Sequence, residues 1–369
     1  MLSPSEISRY QRHLNLPQFS LEGQEKLKAA RVLVVGAGGL GSPIILYLAA
    51  AGVGTLGIID FDKVDLTNLQ RQILFTENDI GKSKAQVAAQ RVAALNSHVR
   101  SRPYECNLTS ANALDIIPDY DIVVDGTDNF PTRYLINDAC SILGKPFVYG
   151  SIFRFEGQLA VFNYLGGPTY RDLFPEPPEP DAVPNCAEGG VIGVLPGIIG
   201  TLQANEVIKV LTGIGEPLSG RLMILDALTM SSRTIKLSTN KNTPKIDKLI
   251  DYDEFCHRPN KLTNTMKEVT VQELKQMIDS GEDFQLIDVR EPYEYEAANL
   301  DGELIPLQQI PDSSDKISKD KKVIVHCRSG ARSAQAIQFL EDRHNLDNLY
   351  NLKGGIMAWG TQIDPSKQV

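Results

Sequence analysis

The stretch RVLVVGAGGLG, residues 31–41, decides the fold. Five strand-forming residues run straight into a glycine loop, and Gly36, Gly38 and Gly41 stand in G-x-G-x-x-G spacing before an apolar, helix-like run. Strand, turn and helix in that order aim backbone amides and a helix dipole at phosphate groups. Asp60 ends the next strand-like run, LGIID, where a carboxylate would reach ribose hydroxyls. Alone, this fingerprint favours NAD or FAD.

From residue 31 to about 150, the strand-like runs RVLVV, LGIID, HVRSRPY, DIVVDG and PFVYGS alternate with helical patterns such as KSKAQVAAQRVAAL. The alternation predicts an α/β fold with a parallel, doubly wound sheet. QLAVFNYL, RLMILDA and RTIKLS read as further strands that extend it. Between them, GGPTYRDLFPEPPEPDAVPNC is too rich in proline for helix or central strand and reads as a long functional loop. The expected division is a first domain over 1–240, a polar linker over 241–265 and a smaller α/β domain over 266–369. The smaller domain opens at TVQELKQM, where Thr270 and Glu273 have capping-box spacing.

Composition narrows the partners. The 369 residues are 22% charged and 42% hydrophobic, ordinary for a globular protein, and carry a net charge of −9. That balance predicts neither direct nucleic-acid binding nor attraction to an anionic membrane. The most apolar run, GGVIGVLPGIIGTL, is too short to cross a bilayer and is broken by Pro196. The first residues, MLSPSEISRYQRHL, show no secretory pattern, so a cytoplasmic location is expected. The five cysteines are scattered and never form CxxC, which argues against a disulfide framework and a structural zinc.

Residues beyond the glycine loop reverse the preference for a dinucleotide. DLTNLQRQ supplies Asn68 and Arg71 just past the ribose acid, Lys84 follows on a helix, and DGTDN closes the fourth strand with Asp128 and Asn129. A dinucleotide pyrophosphate has no use for so many cations, whereas a triphosphate with magnesium needs cations and a carboxylate.

The ordered pattern GAGGLG, D, TNLQRQ, K and TDN, over roughly residues 5–240, resembles the MoeB/ThiF superfamily, bacterial relatives of ubiquitin-activating enzymes. The resemblance implies a Rossmann-like adenylation domain that uses ATP and Mg2+. It implies a nucleotide site of Gly36, Gly38, Gly39, Gly41, Asp60, Thr67, Asn68, Leu69, Gln70, Arg71, Lys84, Asp128 and Asn129. Asn68, Arg71 and Lys84 would lie on the phosphates and Asp128 on magnesium. RYQRHL resembles the family's N-terminal helix, in which Arg12 reaches the other subunit's site, implying a homodimer. Attack of a partner's C-terminal carboxylate on the α-phosphate then requires positioning and charge neutralisation rather than a general base.

Two cysteines receive different roles. Cys186, in NCAEGGV before an expected helix, stands where a thiol becomes a better thiolate source. In the superfamily the matching cysteine attacks the activated carbonyl or the acyl persulfide. In VIVHCRSGARSA, Cys327 and Arg332 have C-x4-R spacing and enclose Cys327, Arg328, Ser329, Gly330, Ala331 and Arg332. That loop is one residue shorter than a tyrosine-phosphatase loop and suits the terminal sulfur of a persulfide, which its amides would stabilise. With LIDVREPYEY before the loop and LKGGIMAW after it, residues 266–366 resemble a rhodanese domain, the usual GHIPGA segment being replaced by NLDGELIPL.

Together the two halves resemble fused MoeB/rhodanese proteins of molybdopterin, thiamine, cysteine or tRNA-thiolation pathways. That implies adenylation of the C-terminal glycine of a small ubiquitin-like sulfur carrier, MoaD-like or ThiS-like and ending in Gly-Gly. Persulfide sulfur, supplied by a donor such as a cysteine desulfurase or thiosulfate, then moves from Cys327 to form a thiocarboxylate. Many relatives hold a zinc with two CxxC pairs. Here Thr169 and Asp172 stand at the first pair and Cys256 is alone near the second, so no zinc is expected, with proline rigidity and packing in its place. An NAD-dependent oxidoreductase and a non-catalytic scaffold are the alternatives.

Overall fold

The computed structural model describes residues 1–178, 190–240, 243, 246–257, 266–344 and 346–367. The chain divides into two compact units, one ending at Cys256 and the other running from His257.

In the first unit β1 (Arg31–Val35) lies between β2 (Thr55–Ile59) and β4 (Ile122–Asp125), parallel to both. The sheet continues with β3 (Arg100–Tyr104), β5 (Phe147–Phe153), β6 (Glu156–Phe162), β7 (Arg221–Asp226) and β8 (Ser231–Lys236), in the order β3-β2-β1-β4-β5-β6-β7-β8. β1 to β5 are parallel, and β6 to β8 extend the sheet antiparallel. Side chains along the central strands alternate between two cores. Val32, Val34, Leu56 and Ile58 enter one, and Leu33, Val35 and Ile59 enter the other. Burial on both faces is why these runs are apolar without a polar face. Strand order reverses between β1 and β4, so a crevice opens at their carboxyl ends, where open α/β sheets bind ligands.

Two stretches depart from expectation. The proline-rich loop begins with a helical turn, Tyr170–Leu173, because Thr169 and Asp172 cap it reciprocally. Within 241–265, expected to be linker, Tyr252–His257 form a helix whose Tyr252 and Cys256 are buried in the first unit's core. Six residues are too few to show a period, which is why the sequence reads as linker there.

The apolar stretch around Pro196 becomes the helix Leu195–Thr212, with Pro196 in its first turn. Among the described residues no helix is long and apolar enough to cross a membrane.

The second unit is a parallel sheet of β9 (Glu268–Val269), β10 (Phe284–Asp288), β11 (Glu303–Leu304), β12 (Lys322–His326) and β13 (Leu349–Leu352), in the order β11-β10-β12-β13-β9. Its first helix, Val271–Ser280, starts at the Thr270–Glu273 capping box. The NLDGELIPL segment supplies edge strand β11, reached through Asp301 at φ +58°.

Candidate functional site

The glycine loop is shaped by close backbone approaches. Gly36 has φ +91°, and a Cβ there would stand 2.7 Å from the carbonyl oxygen of Gly126. A Cβ on Gly41 would stand 2.0 Å from the Gly36 oxygen, so only glycine lets the helix Gly41–Ala51 begin against its own loop. The ends of β1 and β4 therefore press together.

Asp60 directly follows β2 and is buried; its carboxylate accepts from the amides of Ala37 (2.8 Å) and Asp62 (2.9 Å). Burial pushes its carboxyl above the usual range, against the pull of those amides and of Lys84. Lys84 is buried at the start of the helix Lys84–Leu95 and pairs with Asp62 at 2.9 Å. Arg71 reaches the loop through its stem, its Cγ 3.5 Å from where a Gly39 Cβ would lie. Lys84, Asp60, Arg71 and the glycine loop thus share one crevice.

Several expected ligands have local duties first. Thr67 donates backbone and hydroxyl bonds to Asp65, and Asn68 accepts from the Asp65 amide, so both hold the turn Leu66–Asn68. Leu69 packs on the core, and Gln70 is exposed. Asn129 caps the helix Phe130–Leu143 by accepting from the Thr132 amide. Asp128 is exposed just past β4, a hard oxygen donor of the kind magnesium takes. Arg12 is exposed in the last turn of the helix Pro4–Leu14.

Sequence reasoning missed Asp125 and Asp62. Buried Asp125 accepts from Arg133 Nε (2.9 Å) and from the amide and hydroxyl of Thr127, fixing the loop that presents Asp128. The DG step after an apolar strand was the available signal. Asp62, two residues past the ribose acid, holds the Lys84 ammonium.

Cys327 follows β12 and is 1% exposed. Its sulfur accepts from the Gly330 amide at 3.1 Å, and the Ser333 hydroxyl lies 3.5 Å away. The loop runs into the 14-residue helix Ala331–His344, whose N-terminal dipole favours negative charge on that sulfur. The carbonyls of Cys327 and Arg328 accept from the Ile356 and Met357 amides, and Gly355 at φ +56° lets that second segment close in. Arg332 does not face an open cradle: its guanidinium forks onto Glu294 at 2.6 and 2.8 Å. Burial raises the Glu294 carboxyl, but the Arg332 bonds outweigh it and hold it below the usual range. Beneath the loop, Arg290 and Asp288 form a buried pair at 2.6 Å. His326 beside them is buried with no side-chain hydrogen-bond partner for its ring, and burial pushes it down to about 4. Cys186 lies outside the described residues.

The Thr169 and Asp172 pair does not suit a thiolate zinc site. Asp172 instead accepts from the Thr169 amide and hydroxyl, the Asn240 amide and the Thr243 hydroxyl, at 2.7–2.9 Å. Zinc sites of this kind need four thiolate or imidazole donors, and this group offers one carboxylate already bonded. Hydrogen bonds to Asp172 tie the turn at Thr169 to Asn240 and Thr243.

A model described as the ThiF family matches residues 10–245, and one described as a Rhodanese-like domain matches residues 270–362. The chain is 47% identical, over 99% of its length and 95% of the relative's, to a "Probable adenylyltransferase/sulfurtransferase MoeZ" of Mycobacterium tuberculosis. It is 42% identical to an "Adenylyltransferase and sulfurtransferase MOCS3" of Culex quinquefasciatus, over 98% of its length and 89% of the relative's. The crystal structure of E. coli MccB with MccA-N7isoASN superposes at a TM-score of 0.59, with 22% identity over 67% of this chain and 76% of that one, a likeness of fold. The oxidoreductase and scaffold readings find no support among these relatives.

Proposed function

Because the chain belongs to the ThiF family and ends in a Rhodanese-like domain, we propose that it activates the C-terminal glycine of a small ubiquitin-like sulfur carrier and then replaces one carboxylate oxygen by sulfur. It is an adenylyltransferase and sulfurtransferase, and ATP is its activating substrate. In the first half-reaction the carrier carboxylate attacks the α-phosphate and pyrophosphate leaves. The glycine-loop amides, Lys84 and Arg71 hold the phosphates, and Asp60 holds the ribose. Asp128 would hold a magnesium ion, which supplies charge neutralisation on the phosphates.

In the second half-reaction the outer sulfur of a Cys327 persulfide attacks the acyl adenylate, giving an acyl disulfide and AMP. The Cys186 thiolate then attacks Cys327 Sγ; the carrier leaves as a thiocarboxylate, and a Cys186–Cys327 disulfide remains. A dithiol reductant reopens it with two electrons. The persulfide comes from a cysteine desulfurase or thiosulfate, and Arg12 of a second copy would complete the nucleotide site.

The observation that carries the reading is the Cys327 thiol, held by the Gly330 amide at a helix N-terminus in the same chain as the nucleotide crevice. The test is intact-mass analysis of a Gly-Gly carrier after incubation with ATP, magnesium and a persulfide donor. Cys327→Ser should abolish the oxygen-to-sulfur mass gain yet keep carrier-dependent pyrophosphate exchange. Undiminished thiocarboxylate with that variant would remove the sulfur-carrier role.

A further inference from the structure

The Ser333 hydroxyl has more acceptors than hydrogens. Its single hydrogen can go to Asn351 Oδ1 at 2.7 Å, to the Gly330 carbonyl at 3.0 Å or to the Cys327 sulfur at 3.5 Å. Ser333 lies in the first turn of the helix Ala331–His344 and is 0% exposed; Asn351, on β13, is 6% exposed. Asn351 stands opposite Val325 of β12, two residues before Cys327, and its Nδ2 lies 3.6 Å from where a Gly330 Cβ would be. The carboxamide therefore sits against the loop that carries the thiol, and it supports the hydroxyl because a buried polar group left unpaired would be costly.

Charge on the sulfur decides which acceptor wins. Beside a neutral thiol, the carboxamide oxygen is the better acceptor and holds the hydrogen. Beside a thiolate, the sulfur is an ionised acceptor, and hydrogen bonds to ionised groups are roughly twice as strong as neutral ones. One rotation about the Ser333 C–O bond then moves the hydrogen to Cys327 Sγ. The Gly330 amide at 3.1 Å has no such freedom and donates in both states.

We propose that Ser333 is a catalytic residue of sulfur transfer: a switchable donor that holds charge on Cys327 Sγ, with Asn351 as the acceptor that takes the hydrogen back. The proposal deepens the sulfur-bearing role of Cys327 and rests on it. In loading, ionised Cys327 Sγ attacks the outer sulfur of a hydropersulfide such as glutathione persulfide. The donor's S–S bond breaks, glutathione leaves as its thiolate, and the outer sulfur passes with its hydrogen to Cys327. In delivery to cyanide, whose carbon attacks that outer sulfur, the Cys327 S–S bond breaks and its bonding pair returns to Sγ. Thiocyanate leaves, with the hydrogen of the outer sulfur lost to solvent. Sγ carries the charge before the first step and after the second, so one hydroxyl serves both.

The test follows two readouts on the full chain at stepped pH from about 5 to about 10: the gain of one sulfur atom on the Cys327 peptide from glutathione persulfide, read by mass, and the release of thiocyanate with cyanide. A charge-assisted donor is worth roughly ten-fold in thiolate population, and about three-fold of that is returned as lower nucleophilicity. Ser333→Ala should therefore load roughly three-fold more slowly than wild type at the acid end and roughly three-fold faster at the alkaline end, and release thiocyanate roughly three-fold more slowly. The charged and titratable neighbours, His326, Asp288, Arg290, Glu294 and Arg332, are the same in both proteins, so they cancel in the ratio. A ratio that is flat with pH, as a merely structural lesion gives, overturns the proposal, as does unchanged thiocyanate release. Ser333→Ala combined with Asn351→Leu removes both partners and strands no amide, and it should follow the Ser333→Ala curve. Wild-type loading at every pH in the double variant would trace the effect to Asn351 and overturn the proposal. If wild type gains no sulfur on Cys327, the role of that cysteine fails and takes the proposal with it. A normal wild-type gain with a flat ratio leaves that role standing and sinks the proposal alone.

Discussion

His326 stands on β12 directly before Cys327 and is fully buried, with no side-chain hydrogen-bond partner for its ring. Its Nε2 is 3.7 Å from Asp288 Oδ2, beyond hydrogen-bond reach, and that carboxylate is already engaged by Arg290. Burial, opposed by the Asp288 carboxylate and the Cys327 backbone and aided by Arg290, lowers His326 from its ordinary 6.5 to about 4. The fold therefore binds fewer protons than the unfolded chain between those values, and its stability is fully present above pH 6.5 and declines as pH falls toward 4. At roughly 1.4 kcal/mol per pH unit the loss is about 3 kcal/mol. The chain has one tryptophan, Trp359, packed in the second unit's core. Urea titrations followed by its emission at stepped pH from 7.5 to 4 thus report that unit, with His326→Leu as the non-titrating reference. Wild type should lose about 3 kcal/mol more than His326→Leu over this range. Parallel curves for the two proteins would refute the argument, because carboxylates alone would then account for the acid sensitivity.

Lys84→Gln should reduce carrier-dependent pyrophosphate exchange by about 10²-fold or more, measured with labelled pyrophosphate; full exchange would remove Lys84 from the phosphates. Gly41→Ala, which drives a Cβ against the Gly36 carbonyl, should destabilise the first unit by about 2 kcal/mol or more and weaken ATP binding, checked by calorimetry. Asp172→Ala should cost about 2 kcal/mol and increase proteolysis between residues 236 and 252, whereas chelator treatment of wild type should leave its thermal midpoint unchanged. A chelator-induced drop would mean that a metal shares the cross-link.

The sequence by itself determined the parallel core of the first sheet and the α/β character of the second unit. Period and glycine placement are local properties: an apolar five-residue run followed by Gly36, Gly38 and Gly41 leaves little choice of backbone, and the C-x4-R spacing alone fixes the size of the loop around Cys327. It also singled out Asp60 and Lys84, because one follows a strand and the other starts a helix, but it passed over Asp62 and Asp125. Tertiary structure decided which of the expected residues are free. Asn68, Thr67 and Asn129 proved to be engaged in turns and caps, and Arg332 in a fork with Glu294. Tyr252 in the helix Tyr252–His257 reaches a carboxylate 114 residues away, and Asp172 reaches Thr243 across 71 residues. Such partners are chosen by three-dimensional proximity and by the cost of leaving a buried polar group unbonded, which no local pattern records.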